Sequence, residues 1–208
     1  MSDFTHIFFD VGGVVILDFS GTNKWEEMLE SMGVNVENEE RFLEVWNKHK
    51  LRRCIDFDVD SMIDEFRNYV GLELSEDFSF LDEFVNRFDP NPSIWPVLDY
   101  SRQNYKVGLI TNMYPRMLDK IFQRSDLVPD ISWDSIIDSS VVKLQKPEWE
   151  IYKLAHKKIG VEKGDKVLFV DNSKEHLVEP EKLGWETFLY DPKNPESSSE
   201  NLFNLIKT

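Results

Sequence analysis

Five short apolar runs, most of them separated by amphipathic segments of helical length, constrain the fold of this 208-residue chain more than any other feature. The runs cover residues 7–9, 106–111, 135–137, 167–170 and 187–190. Runs of this kind are typical of buried β-strands. Because they alternate with helices, they favour a parallel sheet covered by helices on both faces. The sequence therefore predicts an α/β fold.

The long interval between the first run and residue 106 departs from this alternation, since it holds helical patterns and no convincing strand. Apolar residues recur at helical spacing over 23–32, 39–49, 61–70 and 78–87. The chain then reaches Asp89-Pro90-Asn91-Pro92, where two prolines disfavour helix. We therefore predict a helical domain of residues 18–89, inserted into a sheet domain of residues 1–17 and 90–208.

The chain is strongly acidic, with 39 acidic and 24 basic residues and a formal net charge of -15. This charge repels nucleic acids and anionic membranes, so neither is expected as a partner. The N-terminus lacks the basic start of a signal peptide, and we expect a soluble cytoplasmic protein, either a monomer or a homodimer. The single cysteine, Cys54, excludes an intrachain disulfide. An anionic substrate would need locally placed cations or a metal ion.

Polar residues follow four of the predicted strands. In an open parallel sheet, ligands bind outside the carboxyl ends of the strands, where such side chains converge. A carboxylate, a hydroxyl next to an amide, a cation and a second carboxylate are expected to meet there. These residues are Asp10, Thr111-Asn112, Lys146 and Asp171-Asn172.

The order and surroundings of these residues resemble those of the haloacid dehalogenase-like hydrolase superfamily over nearly the whole chain. The four motifs are Phe8-Phe9-Asp10-Val11-Gly12-Gly13-Val14, Leu109-Ile110-Thr111-Asn112, Gln145-Lys146-Pro147-Glu148 and Leu168-Phe169-Val170-Asp171-Asn172. One such motif is weak evidence, whereas four in order indicate the fold strongly. The resemblance implies a Rossmann-like core with a helical cap inserted after the first strand, which matches the layout predicted above.

The resemblance also implies a phosphomonoester hydrolase that acts on a small phosphorylated metabolite, such as a sugar phosphate. Asp10 would be the nucleophile, which attacks phosphorus and forms an aspartyl-phosphate that water later hydrolyses. Lys146 would be the second catalytic residue and would offset negative charge. Thr111, Asn112 and Gly13 would bind the phosphate oxygens.

The family's cofactor, Mg²⁺, would be bound at the same strand ends. The resemblance implies Asp10, the main-chain carbonyl of Gly12 and a residue of the fourth motif as its ligands. Both Asp171 and Asn172 are candidates for the last position, and the weaker binding of Mg²⁺ by an amide oxygen favours Asp171. The residues about one helical turn further on, where the family often has a group that supports the metal ligands, are Glu175 and His176.

Gly12 stands where the family usually has an aspartate that protonates the leaving group and then activates water. Glycine can do neither, and general acid–base catalysis contributes about 10²- to 10⁴-fold. Some relatives, the sugar-1-phosphate phosphatases, resemble this chain in having glycine there. The sequence therefore predicts a preference for leaving groups that need little protonation, such as those of sugar-1-phosphates, acyl phosphates and aryl phosphates.

Two other functions are compatible with the motifs. A catalytically degenerate binding or regulatory protein would explain why both Gly12 and Asn172 depart from the family's pattern. A metal-independent 2-haloacid dehalogenase, in which Asp10 attacks carbon, needs no acid for the leaving group. The stretch 111–117 resembles the corresponding dehalogenase segment, but position 12 lacks the aromatic residue of those enzymes.

Four residues of the predicted cap attract attention because caps of this family set specificity. Trp25 and Trp46 lie at helical spacings and are expected to anchor the apolar core. Arg52 and Arg53 form the only adjacent arginine pair in an acidic chain. We hypothesise that one of these two arginines contacts an anionic group of the substrate.

Overall fold

The computed structural model describes residues 3–207 and contains one parallel five-stranded sheet and one short antiparallel pair of strands. The strands in chain order are β1 His6–Phe9, β2 Ile16–Leu17, β3 Asp89–Pro90, β4 Lys106–Thr111, β5 Ser135–Asp138, β6 Val167–Asp171 and β7 Glu186–Leu189. The parallel sheet has the order β5-β4-β1-β6-β7. The predicted α/β fold is therefore confirmed, and each of the five predicted strands is found within one residue of its predicted ends.

Helices cover both faces of this sheet and fill the interval between β2 and β3. They are α1 Lys24–Ser31, α2 Glu39–Lys48, α3 Ile63–Glu65, α4 Phe80–Val85, α5 Trp95–Asn104, α6 Met117–Phe122, α7 Ser139–Val142, α8 Trp149–Ile159, α9 Lys174–Lys182 and α10 Pro195–Lys207. Over residues 3–207, none of them combines the length and the apolar character that a bilayer-crossing helix needs.

Residues 61–70 are helical, as their spacing predicts, but they do not form one regular α-helix. A 3₁₀ turn, Val59–Met62, leads into the short α3, and a π-helical turn, Phe66–Val70, completes the segment. The buried residues Met62, Phe66 and Val70 are spaced by four. An ideal α-helix would rotate such a series by about 40° per step. The wider π turn rotates less per residue and offsets this rotation at the last step.

The two-residue strands β2 and β3 close the base of the helical segment. Ile16 pairs with Pro90 and Leu17 pairs with Asp89, so the chain leaves the sheet domain beside the point where it returns. A proline is tolerated in this ladder because each of the two strands has a free edge. The sequence did not predict this pairing. The division into residues 1–17 and 90–208 and a cap of residues 18–89 stays a prediction, and the ladder lies at that boundary.

The apolar core has one part on each face of the sheet. On one face, Phe8, Tyr152 and Trp185 pack together, and the rings of Phe8 and Trp185 stack at a centroid distance of 5.3 Å. On the other face, the core continues into the helical segment, where Trp46 lies 5.5 Å from the ring of Phe80. Trp46 is buried, as expected of a core anchor. The fold therefore joins its helical segment to the sheet through a shared apolar core.

A buried hydrogen-bond network ties the loop after β1 to the C-terminal helix. The Asn91 side-chain amide donates to the carbonyl of Val14 at 2.7 Å and to the Tyr190 hydroxyl at 2.9 Å. That hydroxyl donates to the carbonyl of Pro195 and lies 2.7 Å from the Ser199 hydroxyl. The network therefore fixes the loop after β1 relative to the C-terminal helix.

Replacing Tyr190 with phenylalanine removes the centre of this network. We expect Tyr190→Phe to lower the free energy of unfolding by about 1 to 3 kcal/mol, because buried partners lose a hydrogen bond. Urea denaturation measures this change. The control is Tyr69→Phe, at a residue that is 52% exposed and bonds to Glu44 at the surface, where we expect a change within about 0.5 kcal/mol. Equal losses in the two variants would contradict the role of the network.

Candidate active site

The carboxyl ends of β1, β4 and β6 bring the predicted site residues to one edge of the sheet. Phe9 of β1 lies beside Leu109 of β4 and Val170 of β6, so the residues that follow these strands are neighbours. Asp10, Thr111 and Lys146 line a cavity of about 1030 Å³ between this edge and the helical segment. Asp171, at the end of β6, is fully buried and contacts Lys146.

Lys146 bridges two carboxylates at the floor of the cavity. Its Nζ lies 2.8 Å from Oδ1 of Asp10 and 2.6 Å from Oδ2 of Asp171. All three side chains are buried, with exposures of 3% for Lys146, 6% for Asp10 and 0% for Asp171. With all three ionised, the cluster has one positive and two negative charges.

Burial and the neighbouring charges together set the pKa values of the cluster. Burial raises the pKa of Asp10 to about 6, Lys146 opposes that rise, and the neighbouring Asp171 adds to it. Burial would also raise the pKa of Asp171, but Lys146 and His176 outweigh it and hold that pKa below its usual value. Burial alone would lower the pKa of Lys146, and the two carboxylates raise it instead. The cluster therefore favours an added cation.

Neighbouring groups hold both carboxylates in place. The amide of Val11 donates to Oδ1 of Asp10 at 2.7 Å, which leaves Oδ2 without a hydrogen bond from the described residues. The amide of Ser173 donates to Oδ1 of Asp171 at 2.8 Å, and His176 Nδ1 lies 3.1 Å from both Asp171 oxygens. Of the two residues that the sequence indicates beside the metal ligands, His176 contacts Asp171.

Asn112 uses its side chain to position Lys146. Its amide donates to the carbonyl of Lys146 at 2.9 Å, and its Oδ1 accepts from the Lys146 amide at 2.8 Å. Both the amide nitrogen and the oxygen of this side chain are thus engaged with Lys146. Substrate binding by Asn112 stays a prediction, and it would involve the main chain of this residue. Thr111 differs, because its buried hydroxyl has no hydrogen-bond partner in the part of the chain that the structure describes.

Gly13 and Asn172 lie against each other. Gly13 has a left-handed φ of 73°, and a Cβ there would lie 2.1 Å from Nδ2 of Asn172. The same nitrogen donates to the hydroxyl of Ser20 at 3.2 Å. Asn172 therefore joins two loops at the wall of the cavity. Its predicted role as a metal ligand, and the predicted role of Gly13 in phosphate binding, stay predictions.

Asp18 fills the space beside Gly12. A Cβ at Gly12 would lie 2.5 Å from Oδ2 of Asp18. A carboxylate oxygen lies about 2.4 Å from the Cβ of its own aspartate, given standard bond lengths. The distance from the built Cβ of Gly12 to Oδ2 of Asp18 is thus close to the distance between Cβ and Oδ within one aspartate. The amide of Ser20 holds the other oxygen of Asp18 at 2.8 Å. Sequence reasoning missed Asp18, because no motif links residue 18 to residue 12.

The residues at the floor of the cavity fit a cation. Ligand atoms of Asp10, Asp171 and His176 all lie within 4.8 Å of one another. Two of these groups offer carboxylate oxygens, the ligands that Mg²⁺ prefers, whereas His176 is occupied by Asp171. The Gly12 carbonyl accepts no backbone hydrogen bond from the described residues, so it is free to bind a ligand.

The helical segment forms the opposite wall of the cavity. Trp25, Trp46 and Phe84 line it together with Tyr114, which follows β4. The two adjacent arginines separate here. Arg53 is buried and lines the cavity, whereas an ion pair at 2.9 Å holds the exposed Arg52 to Asp56 on the surface. Of the two arginines, only Arg53 is therefore placed to contact an anion in the cavity.

Solved structures with this fold are known. A predicted HAD-like family hydrolase from Porphyromonas gingivalis has a TM-score of 0.76 at 20% identity, with 100% of each chain covered. A HAD family enzyme from Bacteroides thetaiotaomicron, solved with magnesium and inorganic phosphate, has a TM-score of 0.70 at 20% identity, with 90% of this chain and 94% of that chain covered.

A more distant likeness is to L-2-haloacid dehalogenase from Xanthobacter autotrophicus with chloropropionic acid covalently bound. Its TM-score is 0.59 at 21% identity, with 90% of this chain and 77% of that chain covered. Among curated protein sequences, none matches this chain. A family model described as haloacid dehalogenase-like hydrolase matches residues 4–175, which is most of the chain. The chain therefore belongs to the haloacid dehalogenase-like hydrolase family.

Proposed function

We propose that this protein is a Mg²⁺-dependent phosphomonoester hydrolase that forms an aspartyl-phosphate on Asp10. Its substrate would be a small phosphorylated metabolite, such as a sugar phosphate. The observation that carries the proposal is the buried cluster in which Lys146 bridges Asp10 and Asp171 under an open cavity. The relative from Bacteroides thetaiotaomicron that was solved with magnesium and phosphate adds support.

The cluster meets the main electrostatic need of this reaction. A phosphate approaching a carboxylate is repelled by roughly 4 kcal/mol per charge pair at 4 Å and an effective dielectric near 20. Lys146 reduces this repulsion, and the unpartnered hydroxyl of Thr111 can donate to a phosphate oxygen. Asp10, Asp171 and the Gly12 carbonyl would hold Mg²⁺, which supplies further positive charge when bound.

In the first step, Oδ2 of Asp10 attacks phosphorus while the bond from phosphorus to the leaving oxygen breaks. We propose that Asp18 donates a proton to that oxygen, so that the alcohol leaves and Asp18 becomes a carboxylate. In the second step, a water oxygen attacks the phosphorus of the aspartyl-phosphate, and Asp18 takes the proton of that water. The bond between phosphorus and Asp10 then breaks, which restores both carboxyl groups and releases phosphate.

Asp18 is the best placed acid for this role. Of the other carboxyl groups at the site, Asp10 and Asp171 contact Lys146, and Asp191 accepts hydrogen bonds from Lys193 and Asn194. Oδ2 of Asp18 accepts no hydrogen bond from the described residues. This role would weaken the preference for good leaving groups that Gly12 by itself predicts.

The two alternative functions have less support. A degenerate binding protein has no need of a buried Lys146 between two carboxylates, because such a cluster is costly to maintain without a ligand. In a metal-independent dehalogenase, no metal ion would bind beside Asp10 and Asp171. The second negative charge that Asp171 adds next to Lys146 would then stay uncompensated. The likeness to the Xanthobacter dehalogenase reflects the shared fold.

Fluorine NMR with beryllium fluoride tests the nucleophile without a choice of substrate. We expect a bound signal that requires Mg²⁺, because the aspartyl-fluoroberyllate mimics the acyl phosphate. The signal should be absent in Asp10→Asn and present in Arg52→Ala, a variant of a surface residue. A protein that binds no fluoroberyllate under any condition would favour the degenerate binding module.

The role of Asp18 is tested by the dependence of turnover on the leaving group. We expect Asp18→Asn, which keeps an acceptor for the Ser20 amide, to lower kcat/KM for ethyl phosphate by about 10²- to 10⁴-fold. The loss for 4-nitrophenyl phosphate should be much smaller, since that leaving group needs little protonation. Adding Gly12→Asp to Asp18→Ala should restore turnover of ethyl phosphate, because the space is then free. Equal losses on both substrates would contradict proton transfer by Asp18.

The pKa of Asp10 predicts a pH-dependent change in stability. Above pH 6, the buried carboxyl group of Asp10 is ionised in the folded protein, and this lowers the free energy of unfolding. Asparagine has no charge at this position and removes the penalty. With chelator present, we expect Asp10→Asn to be more stable than wild type at pH 8, by up to about 3 kcal/mol for a pKa raised from 3.8 to about 6.

This gain should shrink as the pH falls through 6 and vanish below 3.8, where Asp10 is protonated in both folded and unfolded states. Thermal unfolding at pH 8 and pH 5 measures the difference. The control is Asp191→Asn, since neighbouring groups lower the pKa of that exposed residue and its loss should not raise the melting temperature. A gain for Asp10→Asn that does not depend on pH would contradict the assignment.

A further inference from the structure

Arg53 has an unsatisfied buried guanidinium in the wall of the cavity. The residue is 8% exposed, and its Nη1 has no hydrogen-bond partner among the described residues. No carboxylate of the described chain pairs with it. Its contact is with the Trp46 ring, whose centroid lies 3.8 Å from the guanidinium carbon. Burial lowers the pKa of Arg53, as expected for a charge held away from water.

The other arginines of the chain are satisfied differently. Each of them contacts a carboxylate or a main-chain carbonyl within the described residues, through the following pairs: Arg41 with Val70, Arg52 with Asp56, Arg67 with Asp64, Arg87 with Glu83, Arg102 with Asp134, Arg116 with Asp58 and Arg124 with Asp126. A buried charge without a counterion is costly, and in proteins such groups are normally paired. Arg53 therefore lacks a partner that a ligand would supply.

Arg53 lines the same cavity as Asp10 and Lys146. A single molecule bound in the cavity is therefore accessible to Arg53 as well as to the Asp10–Lys146 pair. We propose that Arg53 binds a carboxylate of the substrate, and hence that the substrates are phosphate esters that also carry a carboxylic acid. This inference rests on the proposed function and narrows its substrate class.

The charge of Arg53 favours a carboxylate over a second phosphate. Arg53 provides one positive charge, and the other cationic residues that line the cavity apart from Lys146 are Lys174 and Lys193, both of which are exposed. A carboxylate carries one negative charge and matches the planar fork of a guanidinium with two hydrogen bonds. A phosphate dianion would leave one charge uncompensated in an apolar wall.

The cavity wall beside Arg53 is aromatic. The rings of Trp25 and Trp46 lie 5.1 Å apart by their centroids, and Tyr114 lies 6.3 Å from Trp46. Flat or hydrocarbon groups pack well against such surfaces. We therefore choose aromatic probes for the test.

The probes are 4-carboxyphenyl phosphate and its neutral counterpart, 4-carbamoylphenyl phosphate. Calorimetric titration into Asp10→Asn measures their binding without turnover. We expect the carboxylate probe to bind about 10- to 100-fold more tightly than the amide probe. Adding Arg53→Met should abolish this difference and keep or raise the melting temperature, since methionine removes an unpaired buried charge. Adding Arg52→Met, at the exposed neighbour, should leave the preference unchanged.

The outcomes separate this inference from the proposed function. Equal binding of the two probes, no binding of either, or a preference that survives Arg53→Met overturns the role of Arg53. If wild type hydrolyses both probes without preferring the carboxylate, the hydrolase function stands and the inference fails. If the Arg53-dependent preference is found but wild type hydrolyses neither probe, the inference stands and the proposed function fails.

Discussion

The contact of Lys146 with Asp10 and Asp171 is the interaction on which the rest of the site depends. Lys146 is the single cation of the cluster, so removing it would leave two buried carboxylates without compensation. Breaking a buried ion pair in this way typically costs about 3 to 5 kcal/mol. The strands that carry the two aspartates must therefore lie side by side, and the loop that carries Lys146 must reach across them. Asn112, at the end of a third strand, holds the main chain of that loop.

The loop after β1 has two adjacent glycines, and a polar side chain from elsewhere in the chain fills the space beside each of them. Asp18 occupies the volume beside Gly12, and Asn172 occupies the volume beside Gly13. Gly12 does not have a left-handed backbone, so its conformation would accept a side chain, and the obstacle is Asp18. Although position 12 has no acid, a carboxyl group lies directly beside it.

The cavity exists because the helical segment is held over the carboxyl end of the sheet at several points. Arg116, in the loop before α6, forms ion pairs with Asp58 and Asp60 of the helical segment at 2.6 and 2.9 Å. The aromatic contact of Trp46 with Tyr114 joins the same two parts. The sheet and its loops supply Asp10, Lys146 and Asp171, whereas the helical segment supplies Arg53 and the aromatic wall. Under the proposed function, reaction and specificity would therefore be carried by different parts of the chain.

The sequence by itself determined the sheet, its parallel character and the strand ends at which Asp10, Thr111 and Asp171 meet. Strand propensity and apolar periodicity are local properties, and the ends of neighbouring parallel strands meet by geometry alone. The sequence did not determine the irregular turns around Phe66, because those depend on which face of the segment packs against the core. Only the tertiary structure decided that Asp18 lies beside Gly12 and that Arg53, rather than Arg52, enters the cavity. Both depend on contacts between residues from different elements, and such contacts leave no periodic pattern in the chain.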